Sequence, residues 1–381
     1  MKKFWNSCIR FFKKETVFCV AAFVAVISMF FVTPSAAYLD YIDFHVLALL
    51  LALMLVVAGF QSVGLFDKIL PVLIQKSGNT RMLSAILIFV CFFTGMWITN
   101  DVALITFVPI AIMVLKKIAR PDLMIPVIVL QTVAANLGSM CTPIGNPQNL
   151  YLYTISGIGI GEFLRIMLPL TVASFVLLAL SLLWVKKDAV ENISFQGSIE
   201  IEDSKMEGFK TVCYGVLFVL CILTVLHIVD YRITLVVVVI SVLFLRPVLL
   251  LKADYMLLLT FIAFFVFVGN MKNIPLIHSF FNQWVTGREI LVSILSSQVI
   301  SNVPAAVLLS GFTDDIRGLL IGTNLGGLGT LIASMASLIS YKFYAKEKHA
   351  STGKYMLWFT VVNVLFLLIL SVFTFIVESV R

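Results

Sequence analysis

Between residue 17 and residue 379 the chain is a succession of long apolar stretches separated by short polar ones. A helix needs about 20 apolar residues to cross the hydrocarbon core of a bilayer. Nine stretches approach or exceed that length: 17–37, 44–62, 122–156, 163–185, 211–229, 233–251, 254–270, 318–343 and 355–379. They are rich in Leu, Phe, Val and Ile without the alternation of a membrane barrel, which predicts helices. Two further stretches, 82–118 and 289–312, carry polar residues at their middle and read as re-entrant helical hairpins. The pattern predicts an all-α polytopic membrane protein of about 9–11 spans.

Two of the spans are interrupted. Residues 136–149, NLGSMCTPIGNPQN, set Asn136, Gly138, Thr142, Pro143, Gly145, Asn146, Pro147 and Asn149 in apolar surroundings. Glycine and proline open a helix there, and irregular backbone at membrane depth must be buried in protein or line a watery cavity. Residues 324–337, NLGGLGTLIASMAS, repeat the Asn-Leu-Gly start, the Thr at the seventh place and the Ile at the ninth, 188 residues later. Ahead of each break stand the same parts in the same order: a span ending near a glycine (Gly59, Gly269), a short amphipathic stretch (66–76, 274–285) and a hairpin. This predicts two repeats. The first covers 17–185, with hairpin 82–118 and broken helix 122–156; the second covers 211–379, with hairpin 289–312 and broken helix 318–343. The additional span 211–229 changes the parity, so the repeats run in opposite orientation, as in many secondary transporters. Segment 186–210 between them is expected to be a solvated cytoplasmic loop. Residues 1–16, which alternate aromatics with Lys and Arg, are expected to form an interfacial anchor.

Composition agrees with this reading: 61% of residues are hydrophobic, 12% are charged, and the mean hydropathy is +1.07. A net charge of +7 would suit nucleic acid or an anionic surface. Topology accounts for it without a nucleic-acid partner, because a cytoplasmic N-terminus places 21 of the 27 Lys and Arg on the inner side, as the positive-inside rule requires. The expected location is the inner (cytoplasmic) membrane. Pro34-Ser35-Ala36-Ala37 resembles a signal-peptide cleavage site, but the apolar run before it is long for one, and an uncleaved first helix is expected. The six cysteines form no CxxC and read as packing residues. Neither HExxH nor GxxxxGK[ST] occurs, so zinc chemistry and an ATP-driven pump within this chain are unsupported. No cofactor is expected.

The candidate chemistry sits in the hairpins and the breaks. Thr99-Asn100-Asp101 marks the first hairpin tip and Ser301-Asn302-Val303-Pro304 the second. An acid in apolar surroundings must be paired, protonated or holding a cation, which makes Asp101 a functional candidate; the competing role is a simple helix cap. A helix beginning at such a tip turns its first amides toward an anion, while the carbonyls ending the helix before it suit a cation. Asn136, Thr142, Asn146, Asn324, Thr330 and Ser334 supply oxygens from the breaks, and Gly138, Gly145 and Gly326 allow unusual backbone angles and close approach. A hard cation needs several oxygens, and the candidate Na⁺ position lies near Asn100, Asp101, Asn136 and Asn146. For any single Ser or Thr the alternative is helix-to-helix packing. Gln131 and Gln298 are weaker candidates for the cavity lining. The first repeat, with the acid and the richer break, is expected to carry most of the ion binding.

The runs TNDVALITFVPI, NLGSMCTPIGNPQNLYLY, SNVPAA and GTNLGGLGTLIAS resemble, in order, the signatures of the ion transporter superfamily. Its members include arsenite permeases, NhaD-type sodium/proton antiporters and divalent anion/sodium symporters. The resemblance implies a scaffold part and a transport part, with two hairpins and two broken helices around a central site, often in a homodimer whose transport part moves like an elevator. In the dicarboxylate symporters each tip bears Ser-Asn-Thr, which Thr99-Asn100 and Ser301-Asn302 match. Asp101 and Val303 depart from it, and an acid there would repel a second carboxylate. The implied function is a secondary active transporter coupled to Na⁺ or H⁺ that moves a small anion or oxyanion, carboxylate-, sulfate- or arsenite-like, by alternating access. Na⁺/H⁺ antiport is the alternative, and a channel or an intramembrane enzyme is a more remote one.

Overall fold

The computed structural model describes residues 11, 15–65, 74, 77–189 and 205–379. Helices α1 (Thr16–Ser28) and α2 (Phe44–Ser62) lead to a pair joined by the single residue Thr99, α3 (Thr80–Ile98) and α4 (Asn100–Lys117). The first broken helix is α5 (Met124–Ser139) and α6 (Pro147–Ser156), followed by the unbroken α7 (Ile160–Ser181). After α8 (Lys205–Val225), α9 (Tyr231–Leu245), α10 (Tyr255–Lys272) and the short α11 (Pro275–Val285) comes a second pair. Its arms, α12 (Glu289–Ile300) and α13 (Asn302–Leu309), are joined by Ser301 alone. The second broken helix is α14 (Ile316–Leu325) and α15 (Met335–Ala345), and α16 (Thr352–Ser379) ends the bundle.

The helix starts are written locally. Asp43, Asn79, Asn146, Asp254 and Asp315 each accept a backbone N–H at 2.9–3.0 Å at the heads of α2, α3, α6, α10 and α14, and such caps are worth about 1 kcal/mol apiece. Seven helices among the described residues are long and apolar enough to cross a membrane. The protein is an all-α polytopic membrane protein.

The helix bearing the first break lies at the heart of the molecule. Of the span Pro121–Ser139, 89% is buried, against 28% for Thr352–Ser379 at the periphery. α5 is enclosed by α3, α4, α7, α15 and α16. Packing partners recur in matched fashion across the two halves: α3 on α5 and α12 on α14, α4 on α15 and α13 on α6, α9 on α2 and α1 on α10. Gly138 sets the closeness of α3 and α5, since a Cβ there would run into the backbone carbonyl of Phe92.

Two expectations need adjustment. The first apolar stretch is helical only to Ser28, well short of residue 37; turns follow at 29–31, and Tyr38 Oη donates to Val32 O at 2.6 Å. Segment 186–210 is not a free loop at its ends. Its first residues are anchored, with the Thr80 amide donating to Asp188 O at 2.9 Å and Arg120 bonding both Asp188 and Asp122 at 2.6 and 2.9 Å. Its last residues already belong to α8. Residues 190–204, most of the anchor expected at 1–16 and most of the stretch 66–76 lie outside the described residues.

Candidate functional site

Both pairs turn through one residue in the same unusual conformation. Thr99 has φ 72° and ψ 150°, and Ser301 has φ 76° and ψ 154°. That region is nearly reserved for glycine and costs about 1–3 kcal/mol, a strain that persists only where the surroundings enforce it. The enforcement is visible at the next residue. The Asn100 amide donates to Gly145 O at 3.2 Å, and the Asn302 amide donates to Ala333 O at 3.0 Å. Each Asn then folds back, its Oδ1 accepting the amide of Asp101 or Val303 at 3.0 Å. Thr142 donates to Met96 O at the first tip as Thr330 donates to Gln298 O, at 3.1 Å, at the second. Counted along the chain, these partners correspond one to one: 188 residues separate equivalent positions in the breaks and 202 in the tips.

The two breaks also hold each other. Asn146 Nδ2 of the first break donates to Asn324 Oδ1 of the second at 3.0 Å. The hydroxyl of Ser334, which occupies the place of Asn146 in the second break, donates to Asn136 Oδ1 at 3.0 Å. Asn100 Nδ2 reaches the same Oδ1 at 2.9 Å and so ties the first tip into the crossing. Asn100, Asn136, Asn146, Ser301, Asn302, Asn324 and Ser334 are all at most 4% exposed. The structure thus gathers these seven candidates with Gly138, Gly145 and Gly326 in one buried polar cluster. A Cβ on Gly145 would strike the backbone of Ser139, so the first break closes as tightly as it does only with glycine. Thr142 is half-buried beside the cluster, whereas Thr330 is exposed and anchors the second break to Gln298 from outside.

Three groups in the cluster keep unused polar capacity among the described residues. The half-buried Asp101 carboxylate makes no hydrogen bond or ion pair, and the charged group that acts on it is Asp254 at the start of α10. The hydroxyl of Thr99 and Nδ2 of Asn302 are likewise unengaged. Asn302 Nδ2 faces Gly327, where an added Cβ would stand 2.9 Å away. A carboxylate that has neither proton donor nor cation for a partner is the natural seat for one or the other, while helices α4 and α13, both starting here, bring their positive ends to the same place.

Asn149 and Gln298 do more in the site than their sequence context suggests. Asn149 accepts Asn324 Nδ2 at 2.6 Å and donates to Met140 O and Thr142 O at 3.2 Å, so it closes the loop of the first break and joins it to the second. It stands in the first helical turn after Pro147, a position that local rules assign to capping. Gln298 is more than cavity lining. It donates to Leu328 O at 2.9 Å and Gly326 O at 3.0 Å, and accepts the Thr330 amide at 2.9 Å. Gln131 donates to Leu87 O at 3.0 Å and serves helix packing.

Comparison with known proteins places this architecture. The family model described as citrate transporter matches residues 9–314. An uncharacterized transporter of Methanocaldococcus jannaschii is 32% identical over 320 residues, 84% of this chain and 85% of its own. An inner membrane protein of Escherichia coli K12 is 30% identical over 340 residues, 86% of this chain and 89% of its own. A silicon efflux transporter of Oryza sativa subsp. japonica is 31% identical over 151 residues, 39% of this chain and 30% of its own. The family is one of transporters rather than enzymes. The match spans most of the chain and includes both tips and the first break, and the chain accordingly belongs to the citrate transporter family as a multi-pass membrane transporter.

Proposed function

We propose that this chain is a secondary active permease in which Na⁺ or H⁺ bound at Asp101 drives a small anion or oxyanion across the cytoplasmic membrane. The observation that carries the reading is the unpartnered Asp101 carboxylate beside two helix starts and two interlocked breaks. Asp101 supplies the negative charge for the coupling ion, with oxygens of the Asn100–Asn136 pair nearby. The heads of α4 and α13 and the free Nδ2 of Asn302 supply positive potential and a donor for the anion. The family description and the relative named for silicon efflux favour a carboxylate or an oxyanion. One carboxylate group next to Asp101 is tolerated when a cation lies between them, so a small or singly bound anion fits better than a cargo that turns several charges toward this tip.

The matched tips, caps and crossing bonds support an inverted repeat as the basis of alternating access. α2, α8, α9 and α10 would form the scaffold, with the N-terminus cytoplasmic and a second copy completing a homodimer. Purified protein in liposomes tests the core of this reading. Uptake of citrate, sulfate or arsenite that rises with an imposed Na⁺ or pH gradient is expected. Gradient-insensitive or absent uptake of all three would remove the anion permease. A second reading, Na⁺/H⁺ antiport, draws on the same free carboxylate, which can alternate between a proton and Na⁺. Dye-detected proton release on adding Na⁺, without any anion, would favour it.

A further inference from the structure

On one face of α7, Gly161, Arg165, Pro169 and Ala173 follow at four-residue spacing and therefore lie one above another. With Leu164, Leu168 and Val172 beside them and Phe373 of α16 opposite, they line a groove of about 650 Å³. Its lip is open to the outside, since Leu168 is 47% and Val172 53% exposed. From Gly161 to Ala173 the stripe runs about 18 Å at the helical rise, close to half the ~30 Å hydrocarbon core, which is one leaflet. The small side chains of Gly161 and Ala173 make the groove, and Pro169 lacks the N–H that would bond the Arg165 carbonyl, so a polar acceptor is freed inside it.

Among the described residues Arg165 is the one cation lining this groove, and it makes no hydrogen bond or ion pair with any of them. Glu162, in the first turn of α7, is exposed and does not pair with it. A guanidinium inside a spanning helix needs a counter-charge or water. Lying just over a turn from the helix start, it reaches headgroup depth by extending its side chain. A phosphate accepts the planar guanidinium through two parallel hydrogen bonds. We propose that the α7–α16 groove binds an anionic phospholipid, with the headgroup phosphate on Arg165 and an acyl chain along the Gly161–Ala173 stripe. A zwitterionic lipid offers the same phosphate but carries an ammonium that Arg165 repels, so the site prefers net negative headgroups.

The test uses the full chain in mild detergent and native mass spectrometry with phosphatidylglycerol and phosphatidylcholine of identical acyl chains. The wild-type chain is expected to retain one phosphatidylglycerol about fivefold or more in preference to phosphatidylcholine, the effect of one basic side chain at the surface. Arg165→Gln should bring the two lipids to parity. Ala173→Trp, which fills the stripe and keeps the cation, should lose both lipids. Lys272→Gln, a cation elsewhere, should leave the preference unchanged, and thermal unfolding of each variant reports that the bundle is intact. Equal retention of both lipids by the wild type, or an undiminished preference in Arg165→Gln, would overturn the proposal. So would a dimer cross-linked efficiently through Leu168→Cys, because a second copy would then occupy the groove.

Discussion

Replacing Asn136 by alanine removes one acceptor that serves two donors. Asn100 Nδ2 and Ser334 Oγ reach its Oδ1 at 2.9 and 3.0 Å, and neither donor has a second partner among the described residues. In a soluble core each orphaned donor would cost about 1–3 kcal/mol. Between helices in a membrane the measured scale is lower, about 0.6 kcal/mol on average and about 1.7 at most, because separated helices find other partners. Asn136→Ala is therefore expected to destabilise by about 1–3 kcal/mol and Ser334→Ala by about 0.6 kcal/mol. The decisive quantity is their coupling. The double variant should be less destabilised than the sum of the singles by about 0.6–1.7 kcal/mol. The cycle on Asn146 and Asn324 should give a coupling of the same sign and size, although Asn146→Ala alone costs more because it also loses its bond to Ser139 and its cap on Asn149. Denaturant unfolding of the purified protein in mixed micelles measures all of these. Couplings indistinguishable from zero in both cycles would show that the two breaks do not hold each other, and the account of the cluster would fail.

Three further outcomes are expected. Asp101→Asn keeps the fold, seen as an unchanged thermal midpoint, but abolishes gradient-driven transport in liposomes; normal transport by this variant would take Asp101 out of the mechanism. Gly138→Ala and Gly326→Ala should differ. The first drives a Cβ into the Phe92 backbone, with Phe92 Cα 2.9 Å away, whereas the second chiefly meets the Ser297 side chain, its Cβ 2.7 Å away. A loss of about 3 kcal/mol or more for Gly138→Ala against about 1–2 kcal/mol for Gly326→Ala is expected in the same unfolding assay, and the reverse order would contradict the packing of α3 on α5. Thr99→Gly and Ser301→Gly relieve about 1–3 kcal/mol of backbone strain each and give back about 0.5–1 kcal/mol of chain entropy. Each should raise the thermal midpoint modestly, and a marked fall would mean that the tip conformation is not strained.

Much of this arrangement is legible in the sequence because it is local. The apolar run 44–62 is helix α2 residue for residue. Pro147 and the caps at Asn79, Asn146 and Asp254 mark where helices start, and the polar tips fall at Thr99 and Ser301, where the pairs turn. Counting from the Asn-Leu-Gly run of each break, Thr142 and Thr330 stand at the same place and make matching bonds, as do Gly145 and Ala333. What could not be read is who bonds whom. Asn146 finds Asn324 as well as Ser139 and Asn149 of its own half, and Ser334 finds Asn136, because α4 packs on α15 and α13 on α6 across the halves. Such exchange is a property of how two repeats interlock, and neither composition nor periodicity encodes it. Thr330 illustrates the same limit: it repeats Thr142 in sequence and bonds the equivalent carbonyl, yet it ends on the surface.

The crossing bonds constrain how the proposed transport cycle can run. Each break is anchored to the other by a buried amide or hydroxyl, and each tip is anchored to the break of its own half through a backbone bond, Asn100 to Gly145 and Asn302 to Ala333. Pulling the two breaks apart would break the Asn146–Asn324, Asn324–Asn149 and Ser334–Asn136 bonds together, in a setting without water to replace the partners. Sliding the tips and breaks as one body past α2 and α10 would cost less, since apart from the 3.3 Å bond from Gln61 of α2 to Thr106 of α4 the contacts are largely apolar: Tyr151 of α6 rests on Phe261 and Phe265 of α10 at ring separations of 6.0 and 5.7 Å. Alternating access in this chain is therefore expected to leave the asparagine cluster intact. Asp101, the Thr99 hydroxyl and Asn302 Nδ2, the groups the cluster leaves unsatisfied, would then stay available as the proposed contact points for an ion and its cargo throughout the movement.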